Sequence, residues 1–501
     1  MHVPSFMRHA GLACALGLGL LLGGCAVGPD FQRPAAPAGQ GYAPTPIPAR
    51  TAAAPGLDGG AQQLVRDMDI PGQWWTLFRS APLDALINDA LRHNPDAAAA
   101  QQALLAALEN LRAQRGSYFP QVDASLDASR QKTGAVIASG VVSNAALYNL
   151  STAQLSISYT PDLWGGNRRQ VESLVAQADA QRFQLEATYL TLTTNLVNAA
   201  IGEAALRAQV TATEAMIASQ RQILDDMRRQ RQLGDLADSD VAAQEATLEQ
   251  TIASLPPLQK QLAQQRDLLA VLDGRAPDRG VAARFALDDL HLPAELPASL
   301  PARLVEQRPD VRMAEANLHA ACAQVGVAFA ARLPNFSITA AGGSAADQLH
   351  DLFGHGGGFW NLGAAIAAPI FDGGTLKHRQ RAAEASYRQA AEQYRSTVLS
   401  ALQNMADTLH AIQSDAQALV ASERAEQAAA RSLAIAERQH ALGDISGEAL
   451  LNAQLLWRQA ELTLIQAQAA RLSDSVALFQ AVGGGWWHRQ DVTVTKLAAP
   501  G

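Results

Sequence analysis

Pro161-Asp162-Leu163-Trp164-Gly165-Gly166 recurs as Pro369-Ile370-Phe371-Asp372-Gly373-Gly374, 208 positions on. Three more landmarks recur in the same order. Asn94-Pro95-Asp96 returns as Arg308-Pro309-Asp310, and Phe119-Pro120-Gln121 as Leu333-Pro334-Asn335, both 214 positions on. Leu233-Gly234-Asp235 returns as Leu442-Gly443-Asp444, 209 positions on. Four landmarks at nearly one offset mark a tandem duplication. Each repeat mixes two periods, because short alternating stretches lead into helices far longer than a globular domain uses.

Around the Pro-Gly motif the period is two. Val122–Ser129 and Leu155–Tyr159 alternate apolar with polar residues in the first repeat, as Phe336–Ala340 does in the second. Trp360–Ile366 places its large apolar residues on one face and small or polar ones on the other. A strand with one apolar and one wet face suits a barrel wall with lipid outside and water inside. A soluble sheet would alternate in the same way, so the fourfold recurrence and the adjoining helices carry the reading.

Past the motif the period lengthens. Asn167–Leu233 contains no Pro and a single Gly, Gly202, and Thr375–Leu442 contains neither. At 1.5 Å per residue each helix would span about 100 Å, against a mean globular helix of about 11–12 residues. Tyr394, Val398, Leu402, Met405, Leu409 and Ile412 step by three and four, the seam of a coiled coil. Each long helix should stop at Leu-Gly-Asp, with Gly in the left-handed conformation and Asp235 or Asp444 capping a return helix. The return helices should end near Leu272 and Phe479, with Pro256-Pro257 interrupting and bending the first.

The N-terminus reads as a targeting segment. Arg8 precedes the uncharged apolar run Ala10–Leu22, too short for a spanning helix, and Leu22-Gly23-Gly24-Cys25 follows. Small residues before a Cys resemble a bacterial lipoprotein processing site, which implies cleavage before Cys25 and acylation there. Ala26 in the next position implies sorting to the outer membrane. The organisation read from the chain is then a signal peptide at 1–24, a lipidated extended tether at 25–66, repeat 1 at 67–275, a Pro-rich linker at 276–300, repeat 2 at 301–487 and a tail at 488–501. Cys14 leaves with the signal and Cys25 carries lipid, so Cys322 is alone among the three cysteines and a disulfide framework is excluded. The formal charge of -8 gives no electrostatic support for a nucleic-acid partner.

Two strands per repeat give four per chain. A membrane barrel needs about eight, since an open edge in lipid leaves backbone groups unsatisfied. Copies must therefore share a barrel, and three copies give an even number of strands with room for a lumen. The expected fold is mainly α with a membrane β part: a trimeric 12-stranded β-barrel, four strands per chain, continued by a long α-helical coiled-coil tunnel.

Several motifs now stand together: Cys25-Ala26-Val27-Gly28-Pro29-Asp30-Phe31, Trp74-Trp75, Asn94-Pro95-Asp96, Pro161–Gly165, Arg308-Pro309-Asp310, Pro369–Gly374 and Gly483-Gly484-Gly485-Trp486. In this order they resemble the outer membrane factor (TolC-like) family, specifically its NodT-type efflux lipoproteins, over residues 20–487. The resemblance implies a homotrimer in the outer membrane that extends into the periplasm. It would dock with a periplasmic adaptor protein and an inner-membrane pump of the resistance-nodulation-division or major-facilitator type, with no cofactor and no catalysis. It implies that Leu233, Gly234, Asp235, Leu442, Gly443 and Asp444 form the adaptor-docking tips. It places Asn452 where the family usually has an Asp that rings the closed end of the tunnel, with Asp240 and Glu448 as nearby acidic groups at this periplasmic gate. The family's Arg-Tyr pair before the tip Gly is replaced here by Arg231-Gln232 and His440-Ala441, so gate-locking ion pairs do not transfer.

Other chemistries fall away. His355-Gly356-Gly357-Gly358 resembles an esterase oxyanion loop but has no Gly-x-Ser-x-Gly partner. His350, Asp351 and His355 lack zinc spacing and read as solvated residues of an extracellular loop. The competing readings are a periplasmic adaptor or scaffold lipoprotein, which would carry one hairpin with compact β domains, and a duct for type I protein secretion.

Overall fold

The computed structural model describes residues 26–35, 37, 41–55, 59–132 and 147–489. The proposed acylation site Cys25, the signal segment 1–24 and tail residues 490–501 lie outside these residues. In chain order the strands and helices are β1 (Gln63–Arg66), α1 (Ala81–His93), α2 (Pro95–Arg115), β2 (Gln121–Lys132), β3 (Leu147–Tyr159), α3 (Gly166–Leu233), α4 (Asp238–Leu272), β4 (Glu295–Ala298), α5 (Pro301–Gln307), α6 (Pro309–Ala330), β5 (Asn335–Ala346), β6 (Gly358–Ala367), α7 (Thr375–Ala441) and α8 (Gly447–Ala481). The chain divides into two compact units.

The first unit comprises Met1–Arg33, Leu105–Ala180 and Ala314–Tyr394. Its centre is an antiparallel sheet in the order β2-β3-β5-β6. The register aligns the alternation of every strand. Val122 pairs with Ile157, Tyr159 with Ile338 and Phe336 with Ile366, while Asp123 pairs with Ser156 and Ser158 with Thr339. One face is thus apolar across four strands and the other is polar or small. The strands outrun the clear alternation because Asn149, Ser151 and Ser344 stand on the apolar face and Leu150 on the polar one.

The second unit comprises Pro34–Leu104, Gln181–Met313 and Arg395–Gly501. The expected break at Asn94-Pro95 separates α1 from α2. Asn94 leaves the helical region (φ -66°, ψ 124°) and its Oδ1 accepts from the Asp96 and Ala97 N–H groups, capping α2. Trp74 stacks on Phe479 with ring centroids 5.3 Å apart, in a core with Trp75 and Phe78. In the first hairpin Ile217 and Leu224 on α3 pack with Val241 and Leu248 on α4. Both pairs are spaced by seven, the coiled-coil repeat. The α7 seam is buried at Tyr394, Val398, Met405, Leu409 and Ile412, with Ala401 taking the buried place expected of Leu402.

Two local expectations are corrected. Asp235 and Asp444 do not cap the return helices, which begin three residues later behind Ala237 and Ser446. Their N–H groups instead finish the preceding helices: Asp235 donates to the Gln230 carbonyl at 3.0 Å and Asp444 to that of Gln439 at 2.9 Å. This is the six-to-one bond of a Schellman ending. Nor does Pro256-Pro257 interrupt α4, which is one helix through both prolines. The Thr251 and Ser254 hydroxyls bond backbone carbonyls of the preceding turns. From α8, Arg458 donates to Ser254 Oγ at 2.6 Å and Thr251 Oγ1 at 3.4 Å. Packing against a neighbouring helix outweighs the local preference of two prolines.

Candidate channel wall, hairpin tips and gate

The wall is the sheet of the first unit. Its apolar face is uncovered: Val122, Leu126, Leu155, Trp360, Leu362 and Ile366 are all exposed, Trp360 by 81 %. An open apolar face of this extent marks an interaction surface, and here its pattern matches lipid contact. Among the described residues β2 and β6 each pair on one side only. Both edges therefore present unpaired backbone groups. No helix among the described residues is long and apolar enough to cross a membrane.

The second strand of each repeat, β3 or β6, hands over to a long helix through the Pro-Gly motif, and in both repeats an Asp caps that helix. Asp162 accepts from the Asn167 and Arg168 N–H groups at 3.1 and 2.8 Å. Asp372 accepts from Gly374 and Leu376, both at 2.8 Å. The backbone N–H groups of Leu376 and Gly374 lower the Asp372 pKa. The Asp sits at the second motif position in one repeat and the fourth in the other, yet in both it accepts from N–H groups at the start of the helix.

The tips are two tight reversals. Gly234 and Gly443 hold φ of +86° and +77°, a conformation closed to most side chains. Leu233 and Leu442 beside them are 78 % and 76 % exposed. Asp235 and Asp444 are exposed as well. The first tip is tied by ion pairs, Arg231 with Asp238 and Arg228 with Glu245 at 2.7 Å. At the second, His440 Nδ1 lies 3.3 Å from the Ile445 carbonyl oxygen. Met227 of α3 lies against Gly447 at the start of α8, so the two hairpins touch near their tips.

Asn452 and Glu448 are exposed and lie four residues apart on α8, hence on one face. Asp240 belongs to the first turn of α4 and is also exposed.

Sequence reasoning missed the buried polar groups beside these surfaces. Gln244 on α4 is buried and donates to the Gln220 carbonyl oxygen at 3.5 Å, and Gln454 on α8 is buried too. Higher on the second hairpin, burial and then the neighbouring Asp415 carboxylate push Asp474 up to about 7. One turn away the buried Arg471 donates to the Gly60 carbonyl oxygen at 2.7 Å. Asp415 and Asp474 are 59 positions apart on different helices, and no motif announces them.

With this geometry in hand, the profile of the outer membrane efflux protein family matches residues 86–275 and 300–484. The chain belongs to this family. It is 30 % identical over 447 residues to the pyoverdine export outer membrane protein OpmQ of Pseudomonas putida, covering 88 % of this chain and 94 % of that one. It is 27 % identical over 508 residues to nodulation protein T of Rhizobium leguminosarum bv. viciae, covering 99 % and 96 %. Among solved structures, the outer-membrane channel OprN superposes with a TM-score of 0.80 at 26 % identity, covering 92 % of this chain and all of that one. The outer membrane protein VceC of Vibrio cholerae gives 0.77 at 27 %, covering 83 % and 100 %. The protein is thus an outer membrane channel of the efflux class. It lies in the outer membrane and extends into the periplasm.

Proposed function

We propose that three copies of the chain close a 12-stranded barrel and form a passive, gated exit duct for small molecules. A periplasmic adaptor and an inner-membrane pump of the resistance-nodulation-division or major-facilitator type complete the tripartite system. The pump supplies the energy, and the duct catalyses nothing. Cys25 carries the acyl anchor. The Leu-Gly-Asp tips at 233–235 and 442–444 receive the adaptor. Asn452, with Asp240 and Glu448 nearby, narrows the periplasmic end without a fixed charge at position 452. The observation that carries this reading is the four-stranded sheet with one apolar face, one polar face and two unpaired edges. Such a sheet is stable in lipid only when copies of itself close the ring. The export role named for OpmQ supports a small-molecule cargo.

Conductance in a planar bilayer, with the mass in detergent taken on the same sample, tests it. A trimer with small, mostly closed conductance is expected, and Asn452→Asp should shift its reversal potential toward cation selectivity. A monomer that conducts nothing would remove the duct. An unchanged reversal potential would remove Asn452 from the gate.

A further inference from the structure

The stretch Val27–Arg33 behaves less like a tether than like a bolt. The Val27 N–H donates to the Trp164 carbonyl oxygen at 3.0 Å, two residues before α3 begins. Arg169, buried in the first turn of α3, then grips the segment. Its Nε donates to the Val27 carbonyl at 3.1 Å, and its Nη2 donates to the Gly28 carbonyl at 3.4 Å and to Asp30 Oδ1 at 2.6 Å. One guanidinium thus holds three acceptors of the segment, the use its planar fork suits best.

The grip extends to the other repeat. Phe31 stacks on His319 of α6 with centroids 4.3 Å apart and planes 14° from parallel. Arg33 pairs with Glu315 at 3.1 Å. The backbone itself is pressed into place: Gly28 holds φ +97°, and a Cβ there would stand 2.4 Å from Gly326 Cα on α6. Trp164 in turn donates its indole N–H to the Pro334 carbonyl at 2.7 Å, just ahead of β5. The segment therefore touches the strand-to-helix boundary of repeat 1 and the helix of repeat 2 that leads into β5.

We infer that Val27–Arg33 is a latch that fixes the lipid anchor at the strand-to-helix boundary, with Arg169 as its positioning residue. This rests on the proposed acylation of Cys25. A tether would let an acyl chain roam over tens of ångströms. The latch leaves one residue, Ala26, between the acylated Cys and the Trp164 bond, so the anchor enters lipid beside the foot of the sheet. Anchoring at that point presents β2 and β6 to neighbouring copies at a common depth.

The test uses the full-length protein with Asp30→Ala and Phe31→Ala combined. Asp30 is exposed and the pair lies outside every helix and strand, so the fold tolerates both changes. Hydrogen exchange over residues 28–35 should rise at least tenfold, and the yield of heat-resistant trimers in membranes should fall several-fold. In a Cys25→Ala chain exported on a cleavable, non-lipoprotein signal, the same pair should lower the yield no further. Arg169→Lys should keep part of the protection and Arg169→Met should lose it. Unchanged exchange in palmitate-labelled protein would overturn the latch while leaving acylation intact. An equal loss of trimers in the Cys25→Ala chain would overturn the anchor role and leave a structural staple. Absence of palmitate at Cys25 would sink the acylation reading and this inference with it.

Discussion

The two hairpins descend from one duplicated unit and close identically at the tip, yet they are held by different means. Both end in a Gly with positive φ followed by an Asp whose N–H reaches back five residues. Beyond that they part. The first return helix has no side-chain cap, contains Pro256-Pro257 and leans on ion pairs at its tip. The second is capped by Ser446 and ties Trp457 Nε1 to Glu426 at 3.0 Å. It also carries the Asp415–Asp474 carboxyl pair. The shared part is what a reversal between long helices needs. The divergent part is what each hairpin adds to hold its own position, and only the second adds a group that titrates near neutrality.

The sharpest way to break the comparison is at the shared part. A Cβ at Gly234 or Gly443 would meet nothing within 4 Å, so substitution costs only backbone strain, about 1–2 kcal/mol for a left-handed L-residue and more for a β-branched one. Gly234→Val with Gly443→Val should re-aim both tips and abolish efflux while trimers persist in the membrane. Drug tolerance and heat-resistant oligomers measured on one strain check this. Each single variant then tells which tip matters more. Normal tolerance with both changed would take the docking role away from the tips.

A smaller effect is confined to the second hairpin. Asp474 titrates at about 7 in the folded protein, against 3.8 for the free side chain. The folded state therefore binds the extra proton between these values. The stabilisation is fully present below about pH 4 and is lost as pH rises through 7, with a slope of at most about 1.4 kcal/mol per pH unit for each chain. Melting of the trimer should fall in temperature from pH 5 to pH 8, and Asp474→Asn should flatten that dependence. A profile that stays as steep in Asp474→Asn would assign it to other groups.

Most of the scaffold could be read before any coordinates, for a physical reason. Periodic features repeat their signal many times: the α7 seam does so over several heptads, and the four strands share one alternation. The Pro-Gly motifs mark four helix and strand ends by what Gly and Pro permit in the backbone. The parts that escaped are single side chains whose partners lie far along the chain. Arg169 meets Asp30 139 positions away, and Arg458 braces Ser254 from 204 positions away. Neither distance leaves a local trace. The helix starts were misplaced by three residues because Asp235 and Asp444 have the chemistry of a cap, but their N–H groups are already committed to the preceding helix.

The finest distinction between the hairpins is the cap itself, and it can be exchanged. Ala237 and Ser446 have nearly the same backbone, φ -78° with ψ 153° and φ -71° with ψ 156°. Ser446 Oγ accepts from the Ala449 N–H at 3.3 Å. The corresponding donor in the first hairpin, the Asp240 N–H, has only the Ala237 carbonyl, at 3.2 Å. A Ser at position 237 would thus find its donor, the Asp240 N–H, already in place. Ala237→Ser should steady the first turn of α4 by about 1 kcal/mol, and Ser446→Ala should loosen that of α8 by a similar amount. Each is roughly a fivefold change in local opening, read by hydrogen exchange at the two helix starts. If Ala237→Ser leaves exchange unaltered while Ser446→Ala raises it, the difference lies in the surroundings of the tips and not in the cap. The ion pairs of Arg231 and Arg228 would then be what holds the first hairpin.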